Sequence, residues 1–266
     1  MPSTSSRTHS ENAYDPQAMI ATTRTRTKSQ TIDSETLRRL AHELAARSGR
    51  GDCVMLRMRL WRLTLAVSYL LKRLLDILVS ALAIVVLAPL LLLIALGVKL
   101  SSPGPIIFCQ TRVGRFGRHF RFYKFRSMYA DAERRKAALL GQNQSADGVI
   151  FKMRHDPRIT PLGRILRKTS LDELPQLFNV LLGDMSLVGP RPPLPSEVQL
   201  YSLEDRKRLN VTPGITCIWQ ISGRSDIPFS QQVQLDKKYI LSQSIWQDVL
   251  ILLKTIPAII TGKGAY

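Results

Sequence analysis

Asp172 and Glu173 stand side by side in the stretch Ser170-Leu171-Asp172-Glu173-Leu174-Pro175-Gln176. Adjacent acids just before a proline and an apolar run have two uses. As structure, Ser170-x-x-Glu173 has the form of a capping box, with the serine oxygen accepting a backbone N–H and the glutamate reaching back. Acids suit the positive end of a helix, and Pro175 is tolerable only in a first turn. As chemistry, two acids can divide the work on a diphosphate. One carboxylate attacks phosphorus while its neighbour holds Mg²⁺, provided that cations neutralise the repulsion between carboxylate and phosphate. The two uses are compatible, because a helix start also offers N–H groups to an anion.

The required cations recur in separated segments: Lys124 and Arg126, Arg164 and Arg167, Arg191, Arg224. Arg191 lies between Pro190 and the pair Pro192-Pro193, so its stiff backbone aims the guanidinium. Arg224 follows Ser222-Gly223, just after Trp219-Gln220, where a glycine lets backbone approach a ligand. Guanidinium forks match phosphate oxygens. The whole chain carries 38 Lys+Arg against 20 Asp+Glu, a formal charge of +18 in 266 residues. Such an excess calls for an anionic partner: nucleic acid, an acidic lipid surface or a phosphorylated substrate. Three scattered cysteines, Cys53, Cys109 and Cys217, argue against a disulfide framework or zinc site and point to a reducing compartment. The four histidines have no HExxH spacing, and neither a Walker A loop nor a G-x-S-x-G elbow is present.

The elements that must position these residues begin beyond a Ser/Thr-rich stretch, 1–35, which reads as a disordered tail. Residues 36–71 read as amphipathic basic helices. One covers 34–48 with Leu37, Leu40, Ala41 and Leu44 at helical spacing. The other covers 54–71, mixing Trp61 and leucines with Arg57, Arg59 and Arg62, a composition suited to a membrane surface. The run from Ile77 to Val98 carries no charge, and as a straight helix would cover about 33 Å, enough to span a bilayer. Both flanks are basic, however: Lys72 and Arg73 stand before it, and residues 99–126 after it carry Lys99 and six more cations with no acid. Positive charge stays on the cytoplasmic side, and Pro89 sits near the middle of the run. The expectation is a re-entrant membrane helix over 72–100, broken at Ala88-Pro89, leading into a cytoplasmic catalytic domain over 101–266.

Within that domain, 105–126 reads as short strands around a turn at Gly114–Gly117, and 129–140 as a helix. One or two helices are expected over 161–182, with loop over 183–195 and helix over 196–209. A strand and glycine-rich turn follow over 211–224, and a helix over 230–241. The apolar tail 244–260 is interrupted by Asp248, Lys254 and Pro257, so it packs on the domain or at the interface. The fold class is α+β, mainly helical, in a membrane-associated monotopic protein with amphipathic interfacial helices.

KTSLDELPQLFNVLLGDMSLVGPRP, with KRLLDILVSALAIVVLAPLLLLIALGVKL, FYKFRSM and PGITCIWQISGR, resembles the bacterial sugar transferase family, the monotopic polyprenyl-phosphate phosphoglycosyltransferases. The resemblance runs from about Lys72 to Tyr266 and leaves residues 1–71 outside. It implies transfer of a sugar 1-phosphate from a UDP-sugar to undecaprenyl phosphate with Mg²⁺, at the cytoplasmic face of the bacterial inner membrane. It implies Asp172 as the nucleophile and Glu173 as metal ligand, with Asp172 beside the metal. Lys124, Arg167, Arg191 and Arg224 match the family's basic positions around the phosphates. Arg126, Pro190, Gln220 and Asp236 complete the substrate-binding set. The nearest likeness is to members of exopolysaccharide assembly, which implies a hexose such as galactose or glucose. Partners are then the UDP-sugar, the polyprenyl phosphate and membrane lipid, not nucleic acid, with homo-oligomerisation left open. Two departures stand out: Ala88 replaces a serine common before the proline, and Cys217 a common glycine. The competing reading is a basic membrane-surface or nucleic-acid-binding protein without catalysis. Gly114-Arg115-Phe116-Gly117 has the form of the GXXG backbone clamp, but the uncharged run has no place in an RNA binder.

Overall fold

The computed structural model describes residues 35, 38–43, 51–139, 141, 153, 155–262 and 264. Two compact units divide the chain, Met1–Arg62 and Leu63–Tyr266. In the first, residues 38–43 are helical, Leu40 is exposed, and Arg39 pairs with Glu35 at 3.4 Å. Leu37, Leu44 and the stretch 1–34 lie outside the described residues.

The long helix α1, Gly51–Ser101, contains the stretch Val54–Ser101, long and apolar enough to cross a membrane. Helical geometry continues through Ala88 and Pro89, so a re-entrant path requires a bend within one helix rather than a gap between two. Proline still removes the N–H that would bond the carbonyl of Val85. Within the second unit α1 has two kinds of contact. Lys72, Asp76 and Ser80, four residues apart, share one face. Asp76 accepts from Ser186 Oγ at 3.0 Å and from the Leu187 N–H at 2.9 Å. Lys72 pairs with Asp248 at 2.5 Å and donates to the Val188 carbonyl at 3.1 Å. Arg73 donates to the carbonyls of Val180 and Leu181 at 2.5 and 2.8 Å. Further along, Ile94 and Val98 are buried with Phe125 and Leu166 in one core cluster. Between them Ala83, Ile84, Leu90 and Leu91 pack partly on the cores, while Leu82, Val85, Val86, Leu92 and Leu93 are exposed apolar side chains.

After α1 come β1, Ile107–Val113, and β2, His119–Phe125, an antiparallel pair that places Phe108 opposite Lys124 and Arg112 opposite Phe120. Helices α2 (Ala132–Leu139), α3 (Pro161–Lys168) and α4 (Gln176–Leu182) follow. Two three-residue strands, β3 (Ser186–Val188) and β4 (Gly214–Thr216), pair in parallel. The first was expected as loop; three residues are too few to show a period, though all three are buried. A β-carbon on Gly214 would lie 2.0 Å from the Gly189 nitrogen, so only glycine permits this approach. The expected helix over 196–209 is interrupted. α5, Pro195–Gln199, ends before α6, Leu203–Arg206, whose start is capped by Ser202 accepting from the Asp205 N–H. Helices α7 (Ile218–Ser222), α8 (Phe229–Ser242) and α9 (Ile245–Thr261) complete the unit. Phe122, Leu177, Val180, Met185, Leu187 and Tyr239 form the main core, under the turn that carries the two acids.

Candidate active site

The Asp172-Glu173 pair sits on a single 3₁₀ turn, Leu171–Glu173, between α3 and α4. The capping box expected there does not form. Ser170 adopts left-handed backbone (φ 55, ψ 16) and makes no side-chain cap; only its carbonyl accepts, from the Glu173 N–H at 3.1 Å. A left-handed serine is strained, and such residues gather where a side chain must be aimed. A second non-glycine residue in that region, Arg224 (φ 54), borders the same cavity.

Lys124, on β2, reaches both acids, with Nζ 2.6 Å from Glu173 Oε1 and 3.7 Å from Asp172 Oδ2. Arg191 adds a second cation to Glu173 Oε1 at 3.3 Å. The environments of the neighbours therefore diverge. Burial pushes the Glu173 carboxyl up, but Lys124 and Arg191 together outweigh it and hold it at about 2. Burial dominates at Asp172 and raises its carboxyl above the usual range; Lys124 opposes this and the Glu173 charge adds to it. Glu173 is thus held as an anion, and Asp172 is the more basic carboxylate of the two.

These groups line a cavity of about 600 Å³. Of the residues expected from sequence, Lys124, Arg126, Arg167, Asp172 and Glu173 are in its wall. So are Arg191, Gln220 and Arg224. The Arg126 guanidinium, however, is spent on the end of α1. It donates to the carbonyls of Val98, Ser102 and Pro103 and to Ser102 Oγ, so it braces the wall. Asp236 stands behind the cavity, 1% exposed, with its carboxylate on the Arg208 guanidinium, and Arg208 is what lines the cavity. Burial raises Asp236 to about 6, against the pull of Arg208. Pro190 is not in the wall; its carbonyl accepts the Gly214 N–H and holds the loop that bears Arg191. Ala88 and Pro89 lie on α1, away from the wall. Cys217 is buried, donates to Gln220 Oε1 at 3.2 Å, and burial pushes its thiol well up, so it positions a wall residue rather than reacting.

Sequence reasoning passed over Arg112, Tyr201, Arg208 and Trp219, all in the wall. One signal was available. A strand alternates faces, so Phe108, Gln110 and Arg112 share the face on which Lys124 lies opposite Phe108, and all four line the cavity. For Tyr201, Arg208 and Trp219 no local pattern exists.

The donor set suits Mg²⁺. That ion takes one or two carboxylates and leaves its other positions to water and substrate phosphate. Lys124 and Arg191 both bond Oε1 of Glu173, leaving Oε2 without a hydrogen bond among the described residues. Asp172 adds a second carboxylate on the same wall. Among the described residues no cluster of three acidic, His or Cys ligands exists, which excludes an all-protein cage there.

Comparison with known proteins follows this geometry. The profile described as bacterial sugar transferase matches residues 67–262. The chain is 55% identical over 163 residues to a galactosyl transferase of Streptococcus agalactiae, covering 61% of this chain and 36% of that one. It is 43% identical to the undecaprenyl-phosphate galactose phosphotransferase of Salmonella typhimurium, over 75% of this chain and 42% of the relative. It is 40% identical to the exopolysaccharide production protein ExoY of Sinorhizobium fredii, over 73% of this chain and 88% of that protein. The matched region thus spans about two fifths of the first two relatives and most of the third.

Proposed function

Because the chain belongs to the bacterial sugar transferase family, we propose that it transfers a sugar 1-phosphate from a UDP-sugar to undecaprenyl phosphate at the cytoplasmic face of the inner membrane. The observation that carries this reading is the Asp172-Glu173 turn: one acid is held as an anion by Lys124 and Arg191 while its buried neighbour stays basic, in a cavity walled by cations. Relatives named for undecaprenyl-phosphate galactose and glucose phosphotransfer support a hexose donor.

The reaction has two halves. An Asp172 carboxylate oxygen attacks the β-phosphorus of the UDP-sugar. A new carboxylate–phosphorus bond forms, the bond from that phosphorus to the bridging oxygen breaks, and UMP leaves with the bridging oxygen and its electron pair. A phosphate oxygen of the lipid then attacks the same phosphorus and displaces Asp172. The product is a lipid diphosphate sugar, and the carboxylate is restored. Lys124, Arg191 and Arg224 bind and orient the phosphates and offset the repulsion between them and Asp172. Glu173 with Asp172 would hold Mg²⁺, which when bound adds positive charge at the phosphate oxygens. Bracing of the wall by Arg126, and of Arg208 by Asp236, keeps these cations in place.

Helix α1 is proposed to enter the cytoplasmic leaflet and return. Val54–Ser101 is far longer than the roughly 20 residues a perpendicular span needs, and both flanks of its uncharged part are basic. The decisive experiment supplies UDP-sugars without lipid. UMP released about once per enzyme, with a sugar phosphate mass on the peptide bearing Asp172 and none in Asp172→Asn, is expected. Fast turnover with no adduct on that peptide would refute the covalent route and leave direct attack by the lipid.

A further inference from the structure

Among the described residues of the second unit four arginines are buried: Arg112, Arg126, Arg158 and Arg208. Arg158 pairs with Asp156 at 2.6 Å, and Arg208 with Asp236. Arg126 spends its fork on four oxygens. Arg112 differs. Among the described residues its one hydrogen bond runs from Nη1 to the Pro192 carbonyl at 3.1 Å; its Nε, like those of Arg126 and Arg208, has no partner. No acid lies within ion-pair distance of it there. The guanidinium stacks over Phe122, 5.2 Å from the ring centroid, and lines the cavity beside Arg191. Burial first, and the Arg191 charge second, lower it to about 10. Glu197 and Glu173 pull the other way without touching it, so the guanidinium is buried with no contacting counter-charge, a cost that a bound anion would offset.

In-line displacement fixes where that anion sits. Attacking and leaving oxygens lie on opposite sides of phosphorus. In the first half Asp172 attacks and the UMP phosphate leaves on the far side. In the second the lipid phosphate attacks and Asp172 leaves, so the lipid phosphate comes from that same far side. Both are phosphate monoesters. We propose that Arg112, with Arg191, forms one phosphate-monoester subsite used in turn by departing UMP and by the entering lipid phosphate. The inference rests on the two-step reading above and adds a residue and a shared locus to it.

The test needs no turnover. Binding of UMP and of a short-chain polyprenyl monophosphate to the detergent-solubilised full chain is measured for wild type, Arg112→Met and Arg112→Lys. Met keeps an apolar stem beside Phe122 while removing the guanidinium and its charge. Its melting temperature without ligand should equal or exceed that of wild type, while both ligands bind about tenfold to a hundredfold more weakly. Lys, a point charge without the fork, should fold normally and lose less affinity. UMP should also compete with the lipid phosphate in wild type. A clear fall in melting temperature for Met with ligand affinity unchanged in Lys would make Arg112 structural and overturn the proposal. Weakening of only one ligand, or an absence of competition, would overturn the shared locus. Failure of the covalent route itself appears separately, as a missing adduct on Asp172.

Discussion

Lys124→Met removes the one cation among the described residues that touches both acids, while keeping the side-chain stem. Lys124 is 16% exposed at its side chain and 3.7 Å from Asp172, which is 7% exposed there. At an effective dielectric constant of about 20, such a pair attracts by about 4 kcal/mol. Glu173 keeps Arg191 at 3.3 Å, so its loss is smaller than its 2.6 Å contact with Lys124 suggests. Removing one partner of a buried pair costs about 3–5 kcal/mol. In a chain of this size that lowers the melting temperature by roughly 10 °C near neutral pH. The loss has an escape, because Asp172 can take a proton. Its folded-state value, already raised by burial and by Glu173, goes higher without Lys124. A carboxyl raised in the folded state binds more protons folded than unfolded, so lower pH favours folding and the gap between variant and wild type narrows. The nucleophile must be ionised, so the first half-reaction should move its acid limb to higher pH and slow at pH 7 by about 10²-fold or more. Single-turnover UMP release across pH, with thermal unfolding in the same buffers, reads both. A variant within threefold of wild type, with an unmoved limb, would refute the assignment of Lys124.

Three further outcomes are expected. Ser170→Ala should change stability by no more than about 0.5 kcal/mol, since the hydroxyl makes no cap; a loss of about 1 kcal/mol would restore the capping box. Glu173→Gln should weaken activation by Mg²⁺ and reduce stability at neutral pH. Its folded-state value is depressed, so the contribution is present above the ordinary glutamate range and fades as pH falls toward about 2. Denaturation curves at pH 7 and pH 3 should show the gap shrink. Single cysteines at positions 70 and 100, in a background without the native three, should both be labelled only from the cytoplasm; labelling from opposite sides would end the re-entrant proposal.

The strands flanking Gly114–Gly117 and the cationic wall were legible because each carries a local signature: alternation, or prolines and a glycine fixing a backbone. The acids were legible as candidates for chemistry, but the cap read alongside does not form. Left-handed backbone at Ser170 is imposed by packing around the turn, and nothing in serine announces it. Asp236 was legible as an acid near the site, but its engagement by Arg208 spans 28 residues and leaves no short-range trace. Arg112 was hidden in a run of surface-like cations, Arg112, Arg115, Arg118 and Arg121. Only the strand register separates the buried one from the rest.

The polar anchor of α1 has a consequence for the order of events during synthesis. Asp76 and its partners Ser186 and Leu187 are separated by 110 and 111 residues. At about 5–20 residues per second, translation takes on the order of ten seconds to bridge that distance. Throughout that interval Asp76 lacks both partners and has Lys72, one turn earlier on its own helix, as its counter-charge. On the membrane path proposed for α1, its final seating is therefore completed by the ribosome's later output, and a mutation at Ser186 should slow membrane integration of a helix it follows by more than a hundred residues.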